Sequence, residues 1–184
     1  MKRYILDRVS VDEDEMSRIL RYFRPMQLGR NRHLLRRGQI ASGYVFIEEG
    51  CLRIYYHRDE QEITGWATCR NLIFTDLSSL LSRQPSVFNI QALESSRLYL
   101  ISHQDMQHLY DTIPKWQELG RKLWEEAFVS VLNMIVSYQT ETAEERYERL
   151  LAEPGLLQKV PLKHLATFLG ITPSSLSRLR RNRK

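Results

Sequence analysis

The hydrophobic positions of this 184-residue chain change their spacing twice. Between Met26 and about Ser102, short apolar runs alternate with polar turn residues, whereas apolar residues on either side recur every three or four positions. The first pattern is typical of strands and the second of amphipathic helices. The sequence therefore predicts a β-rich centre that follows one helix and precedes a helical C-terminal region.

The central segment predicts short strands separated by turns. Their predicted bounds are Met26–Leu28, His33–Leu35, Tyr44–Ile47, Cys51–His57, Ile63–Thr68, Val87–Leu93 and Arg97–Ile101. Gly38 and Gly50 stand in the intervening turns, where a positive φ is expected. Many short strands with glycine turns indicate a jelly-roll sandwich or barrel. One short helix, over Thr75–Leu81, is predicted to interrupt it.

Three further helices are predicted around the strands. A capping box at Ser10–Glu13 opens a helix that ends near Phe23, and a second box at Thr142–Glu145 opens one that ends near Ala152. Between them, Pro114–Tyr138 predicts a helix about 37 Å long.

The apolar face of this long helix predicts a dimer interface. Its residues recur at helical spacing and are Trp116, Leu119, Leu123, Ala127, Val131 and Met134. So long a helix in a small protein carries more apolar surface than one barrel covers. A symmetric homodimer seam is therefore favoured over packing on the protomer's own barrel alone. The break at Gln139–Thr142 predicts a hinge.

The segment Val160–Lys184 predicts two short helices joined by a tight turn. Pro161 suits the start of the first helix, Gly170 the left-handed residue that ends it, and Thr172 the N-cap of the second. The apolar stripes consist of Leu162, Leu165, Ala166, Leu169, Leu176 and Leu179. This pattern predicts a helix-turn-helix, and an ordinary helical hairpin with a basic tail is the alternative.

Charge favours DNA as the partner of this segment. Seven Lys and Arg residues but no Asp or Glu follow Glu153, although the net charge of the whole chain is only +5. A basic block this local fits a polyanion. Ser174, Ser175 and Arg178 are the candidate contacts to base edges. The remaining DNA-binding candidates, on the second helix or expected at phosphates, are Lys163, Thr172, Ser177, Arg180, Arg181, Arg183 and Lys184.

The composition, 42% hydrophobic and 27% charged, is that of a globular protein. No apolar run reaches the roughly 20 residues needed to cross a membrane, and the N-terminus lacks the apolar core of a signal peptide, so a cytoplasmic protein is predicted. Cys51 and Cys69 are then expected to be reduced thiols. Because no metal cluster, phosphate-binding loop or nucleophile–base set is apparent, we predict neither an enzyme nor a metal or cofactor protein.

Together these elements resemble the Crp/Fnr family of bacterial transcription regulators over essentially the whole chain. The resemblance rests on Leu34–Gln39, Tyr44–Tyr56 and Val160–Arg181, and Ala143–Leu151 is similar to a Bacteroidetes-type branch. It implies an α+β fold with a cyclic-nucleotide-binding-like barrel over residues 1–113, a dimerisation helix and hinge over 114–140, and a helix-turn-helix domain over 141–184 without the usual two-stranded wing. It also implies a homodimer that binds double-stranded DNA, and it leaves RNA polymerase open as a further partner.

The resemblance places an effector pocket at Phe74, Thr75, Asp76, Leu77, Ser86 and Val87. Family members that bind a cyclic nucleotide have Gly-Glu where Thr75-Asp76 stands, and Arg followed by Ser or Thr where Ser86-Val87 stands. The missing guanidinium removes a charge-assisted contact to the phosphate. Tight binding of cyclic AMP is therefore not expected, and another small effector is left open. The rival function is a ligand-sensing or protein-docking module that does not bind DNA.

Overall fold

Antiparallel pairing arranges the strands in two facing sheets. The structure, a computed structural model, describes residues 1–69, 71–152 and 154–181. The strands are β1 (Arg24–Leu28), β2 (His33–Leu35), β3 (Gly43–Glu49), β4 (Leu52–Arg58), β5 (Gln61–Thr68), β6 (Leu72–Phe74), β7 (Asn89–Ala92) and β8 (Ser96–Ser102). One sheet has the order β1-β8-β3-β6 and the other β2-β7-β4-β5. This is the jelly-roll arrangement that the strand pattern predicts.

Helices lie before, within and after the sheets. They are α1 (Lys2–Leu6), α2 (Glu13–Arg21), α3 (Leu77–Ser82), α4 (His103–Thr112), α5 (Pro114–Thr140), α6 (Ala143–Leu151), α7 (Pro154–Lys159), α8 (Leu162–Leu169) and α9 (Pro173–Arg181). The sequence pattern predicts the long helix α5 but not β6, α1, α4 or α7. β6, α1 and α7 have six residues or fewer, which is too short for a clear periodic signal, and α4 offers only Met106, Leu109 and Tyr110 as apolar positions.

Local signals set several element boundaries. The positive φ of Gly38 and Gly50 is confirmed, at 88° and 113°. The capping box of α6 is also confirmed, because Thr142 accepts from the Glu145 backbone N–H. The capping box at Ser10–Glu13 is wrong. Asp12 caps α2 instead, accepting from the Glu15 N–H at 2.7 Å, since a carboxylate two residues further on offers the stronger acceptor.

The main core fills the space between the sheets and continues under α2, α4 and the start of α5. Trp116 and Leu119 belong to it, with only 2% and 1% of their surface exposed. The Trp116 indole N–H donates to Met106 Sδ at 3.2 Å, and its ring meets Phe23 edge-on. Both side chains are therefore covered by their own barrel, which corrects their placement on the predicted dimer face.

A second apolar cluster joins the barrel to the C-terminal helices. The barrel contributes Cys51, Ala67 and Leu93, and the helices contribute Tyr147, Leu156, Val160, Leu165, Ala166, Leu169 and Leu176. The region after the hinge therefore packs on the outside of the β2-β7-β4-β5 sheet, mainly through α8 and β5. Sequence periodicity predicts the apolar stripe of α8 but not that part of it faces the barrel.

The expectation of two reduced thiols is wrong, because Cys51 and Cys69 form a disulfide. In the β4–β5 ladder Leu52 lies opposite Thr68, so the two cysteines are the next pair across the open end of this hairpin. Their Cα atoms are 4.0 Å apart. The register of the two strands, which sequence patterns did not determine, brings the thiols together.

Two strand glycines offer a matched test of this packing. A Cβ at Gly43 would lie 2.1 Å from the Ile101 carbonyl oxygen on the paired strand, whereas one at Gly65 would meet nothing closer than 4.0 Å. We expect Gly43→Ala to destabilise the protein by about 2 kcal/mol or more through overpacking, and Gly65→Ala to change stability little. Equal free energies of unfolding for the two variants, measured by chemical denaturation, would contradict the register of β3 and β8.

Candidate nucleic-acid interface

The helices α8 and α9 form a compact corner at the C-terminal end of the described chain. Leu165, Leu169 and Leu176 are buried in the angle between them, with Ala166 at the close approach. Gly170 ends α8 in the left-handed conformation, with φ of 74°. The Ile171 N–H then donates to the Ala166 carbonyl at 3.0 Å, which closes the helix end. The predicted turn residue is thus confirmed.

The first turn of α9 presents a group of hydroxyls. Thr172 Oγ1 accepts from the Ser175 N–H at 3.2 Å and lies 2.9 Å from the hydroxyls of both Ser174 and Ser175. Arg178 reaches Ser175 Oγ at 3.4 Å. The N-terminus of a helix carries a partial positive charge and free N–H groups. This end of α9 can therefore donate hydrogen bonds to phosphates or base edges.

The predicted contact residues differ in how freely they face solvent. Lys163, Ser174, Ser177, Arg178 and Arg181 are exposed, as is Thr172. Arg180 lies 5.9 Å from the centre of the Tyr147 ring, so its stem leans back on α6. Arg183 and Lys184 lie outside the described residues. The structure thus gathers the described candidates, apart from Lys163 on α8, on one short helix and its N-cap.

An arginine on α6 ties this corner to the end of the long helix. Arg146 donates to the Glu141 carbonyl at 2.6 Å and to the Leu169 carbonyl at 3.1 Å, so it caps α5 and α8 at once. Its guanidinium also lies 4.9 Å from the Tyr138 ring centre, and the Tyr138 hydroxyl donates to the Phe168 carbonyl. Cations at helix C-termini offset the free carbonyls there. At the predicted hinge, hydrogen bonds from Arg146 therefore hold the end of α5 to the end of α8.

A buried arginine joins α8 to the barrel. Only 2% of Arg53 is exposed, and its Nη1 lies 2.5 Å from His164 Nδ1. The same guanidinium donates to Gln91 Oε1 at 2.9 Å and to Glu62. A guanidinium only donates, so Nδ1 must accept. The imidazole is therefore neutral here, with its proton on Nε2.

Two further contacts extend this interface. The Thr64 backbone N–H donates to Thr167 Oγ1 at 3.1 Å, and Lys159 pairs with Glu94 at 2.5 Å. Sequence reasoning missed this whole network. The available signals were an arginine within the apolar run of β4 and a histidine within the apolar stripe of α8, since a buried charge requires a partner.

Polar residues of the predicted effector pocket form hydrogen bonds with one another and with nearby backbone groups. Asp76 caps α3 by accepting from the Ser79 N–H at 3.2 Å, and its other oxygen accepts from the Ser86 hydroxyl. The Ser86 backbone is bound on both sides, to Gly38 and Gln39. Ser79 Oγ in turn accepts from the Ala41 N–H. Asp76 and Ser86, two polar residues of the predicted pocket, therefore bind each other.

The other predicted pocket residues lie around this bonded centre. Thr75 donates its hydroxyl to the Gly43 carbonyl at 2.7 Å. Phe74 and Leu77 are half-buried, and Val87 is 62% exposed. Beside Val87, a shallow cleft of about 360 Å³ is lined by Arg37, Tyr56, His57 and Phe88.

Beyond the part of α5 that packs on the barrel, its apolar residues are open to solvent. Leu123 packs partly against the barrel core, and Ala127, Val131 and Met134 are half-buried. A more exposed stripe, with two fifths or more of each side chain accessible, consists of Trp124, Phe128, Val129, Leu132, Ile135 and Val136. The predicted face lies beside this exposed stripe, about one quarter-turn away around the helix axis.

The residues that the structure describes hold neither a metal-ligand cluster nor an apolar helix of membrane-spanning length. Among them, no group of three His, Cys, Asp or Glu side chains is placed to hold a metal ion. No described helix is both long and apolar enough to span a bilayer.

The β-rich part of the chain matches a known domain family. Residues 25–112 match the family model of the cyclic nucleotide-binding domain, a region that runs from β1 to the end of α4. No curated protein matches this sequence.

Solved structures of regulators share the fold over most of the chain. The c-di-GMP-responsive global regulator CLP of Xanthomonas campestris is 15% identical with a TM-score of 0.69, covering 93% of this chain and 91% of that one. The catabolite activator protein of Thermus thermophilus is 19% identical with a TM-score of 0.57, covering 94% and 84%. A protein of Eubacterium rectale, described as a transcriptional regulator of the Crp/Fnr family, is 16% identical with a TM-score of 0.67, covering 94% and 83%. At these identities the likeness shows a common fold.

The buried histidine gives a pH-dependent prediction. Burial, with the nearby Arg53 and Lys163 charges, lowers the pKa of His164 to about 4 from an ordinary value near 6.5. Between these two pH values the unfolded chain therefore binds a proton that the folded chain does not. The contribution of neutral His164 to the free energy of unfolding is complete above pH 6.5 and declines as the pH falls towards 4.

His164→Gln keeps an acceptor for Arg53 but does not titrate. We expect the free energy of unfolding, measured by denaturant titration at several pH values, to fall less between pH 6.5 and 4 in this variant than in the wild type. Parallel curves for the two proteins would show that His164 is not held neutral.

Proposed function

We propose that this protein is a cytoplasmic transcription regulator of the Crp/Fnr type that binds DNA as a homodimer. The observation that carries the proposal is the helix α9, which buries Leu176 against α8 while turning Ser174, Ser177 and Arg178 to solvent. A helix fixed by one apolar side with hydroxyls and arginines on the other has the build of a helix-turn-helix reader. The shared fold with Crp/Fnr regulators supports this assignment.

The reading role divides among the side chains of α9. In this proposal the N-terminal turn of α9 enters the major groove. Arg178 donates two hydrogen bonds from its guanidinium to a guanine, the commonest partner of arginine at base edges. Ser174 and Ser175 contact neighbouring bases. Lys163 and Arg181 bind phosphates, which gives affinity without sequence preference.

The long helix supplies the spacing between two such readers. Its exposed stripe, including Phe128 and Leu132, is apolar surface that a second copy of the chain would cover. Arg146 fixes the corner of α8 and α9 to the end of α5. A dimer through α5 would then hold two α9 helices one turn of DNA apart, about 34 Å.

The barrel in this proposal does not depend on tight binding of cyclic AMP. Asp76 and Ser86 bind each other and the surrounding backbone, so a nucleotide would have to break these bonds to gain its own. A different small effector remains compatible with the cleft beside Phe88.

Selection of bound duplexes from a random DNA pool, with and without cyclic nucleotides, tests the proposal. We expect enrichment of a pseudo-palindrome with half-sites about one helical turn apart, to the same extent with and without cyclic AMP. Enrichment only with cyclic AMP would refute the proposal that the barrel does not depend on this nucleotide. No enrichment under either condition would refute the DNA-binding proposal and favour a protein-docking module.

Arg178 and Arg181 provide a matched pair for specificity. Arg178→Ala is expected to lose about 1–3 kcal/mol of discrimination at one base pair of each half-site. Arg181→Ala should weaken binding to all sequences alike and reduce the salt dependence of affinity. Both effects are read from affinities for a set of single-base variants of the selected site. An unchanged preference in Arg178→Ala would remove this residue from the base contacts.

The exposed stripe of α5 predicts the effect of charge on assembly. Phe128→Glu with Leu132→Glu is expected to convert the dimer to monomers in analytical ultracentrifugation, because two carboxylates would be buried without partners at the seam. Ser130→Glu adds the same kind of charge at an exposed polar position of the helix and serves as the control. Dimers of unchanged stability in the double variant would place the seam elsewhere.

A further inference from the structure

The Cys51–Cys69 disulfide lies at the contact between the barrel and the C-terminal helices. Cys51 is fully buried and shares an apolar cluster with Leu156, Val160 and Leu165 of α7 and α8 and their connection. Cys69 packs against the same cluster but retains some exposure. The bond therefore closes the β4–β5 hairpin at the surface on which the terminal helices rest.

We propose that this disulfide is a reversible thiol–disulfide exchange site and that its redox state sets how firmly α7 and α8 dock on the barrel. The substrate class is a small or protein dithiol. Disulfides in the cytoplasm proposed for this protein meet such reductants continually, and those found there commonly serve in redox sensing. The proposed link to DNA binding rests on the proposed function, whereas the link to docking does not.

The exchange begins at Cys69, because Cys51 has no accessible surface. A thiolate of the dithiol attacks Cys69 Sγ, the Sγ–Sγ bond breaks, and its electron pair leaves on Cys51 Sγ, which takes up a proton. The second thiolate of the reductant then attacks the mixed disulfide and releases Cys69 as a thiol. The protein gains two electrons and two protons, and the dithiol departs as a cyclic disulfide.

The hairpin closed by the bond carries the contacts that hold α8. Arg53 lies two residues after Cys51 and binds His164, and Thr64 donates to Thr167 from the paired strand. Two separate thiols need more room than a disulfide. Reduction would therefore press the hairpin end into a closely packed cluster.

The loop beyond β7 transmits the same change. The Leu93 N–H donates to the Cys51 carbonyl at 2.8 Å, and the adjacent Glu94 pairs with Lys159 of α7. A shift of Cys51 thus reaches both α7 and α8. In the reduced protein, we expect these helices to open more often and α9 to lose its fixed position.

Hydrogen exchange by mass spectrometry tests the proposal directly. The wild-type protein is compared after mild oxidation and after reduction with dithiothreitol, and the disulfide is verified by alkylation and intact mass. Amide exchange in residues 156–169 is expected to rise on the order of tenfold on reduction, because the separated thiols disturb the cluster on which α7 and α8 pack and local opening becomes more frequent. Exchange in β1 and β8 should not change.

The double variant Cys51→Ala with Cys69→Ala is the control, because it keeps the cluster apolar but cannot be oxidised. Its exchange should be the same under both conditions. Equal exchange of residues 156–169 in oxidised and reduced wild type would overturn the proposal, as would failure of the disulfide to form under mild oxidation.

Affinity for a duplex selected by the wild-type protein, measured in both redox states, separates this inference from the proposed function. Tighter binding by the oxidised wild type, and no redox effect in the double variant, would support the link to DNA. A redox effect on exchange without any DNA binding would support the docking switch and refute the DNA-binding function alone.

Discussion

A buried guanidinium holds the two parts of this molecule together. Arg53 points out of the β2-β7-β4-β5 sheet into a space closed by α8, where a charge without partners would be strongly destabilising. It is satisfied from both sides, by Glu62 and Gln91 of the barrel and by His164 of the helix. Burial opposes ionisation of Glu62, but the bond to Arg53 holds the pKa of Glu62 below its usual value. The barrel alone thus leaves Arg53 incompletely paired, and docking of α8 completes its bonding.

This constraint explains how a short, basic helix pair acquires a defined position. The region after α5 is bound at two places, by Arg146 at the hinge and by Arg53 at the barrel. Neither contact uses the solvent-facing side chains of α9, which are left for a partner. A change in the barrel can therefore reach α9 by the sheet surface as well as along α5. The disulfide at the end of the β4–β5 hairpin lies on the first of these routes.

The elements that the sequence predicts well are those set by local chemistry. Gly38, Gly50 and Gly170 were identifiable because a left-handed residue favours glycine, and the Thr142 cap because its partner lies three residues away. Strand alternation predicted the jelly roll, and apolar residues at helical spacing predicted the long helix. The position of α9 after a glycine turn, with its exposed Arg178, also followed from spacing.

What the sequence did not reveal depends on residues far apart in the chain. Arg53 and His164 are separated by more than a hundred positions. The sequence around each residue gives no indication that the other is its partner. The cysteines pair because of a register fixed by the whole sheet. Trp116 fits a dimer stripe by spacing, yet the barrel covers it, since α4 and α2 approach from directions that periodicity does not describe.

Arg53 and His164 thus act as one contact that docks α8 on the barrel. A double-mutant cycle with Arg53→Met and His164→Leu, measured by chemical denaturation above pH 6.5, tests it most directly. We expect a coupling energy of at least about 1 kcal/mol between the two substitutions, as is usual for side chains in direct contact. Additive effects, to within about 0.3 kcal/mol, would contradict it.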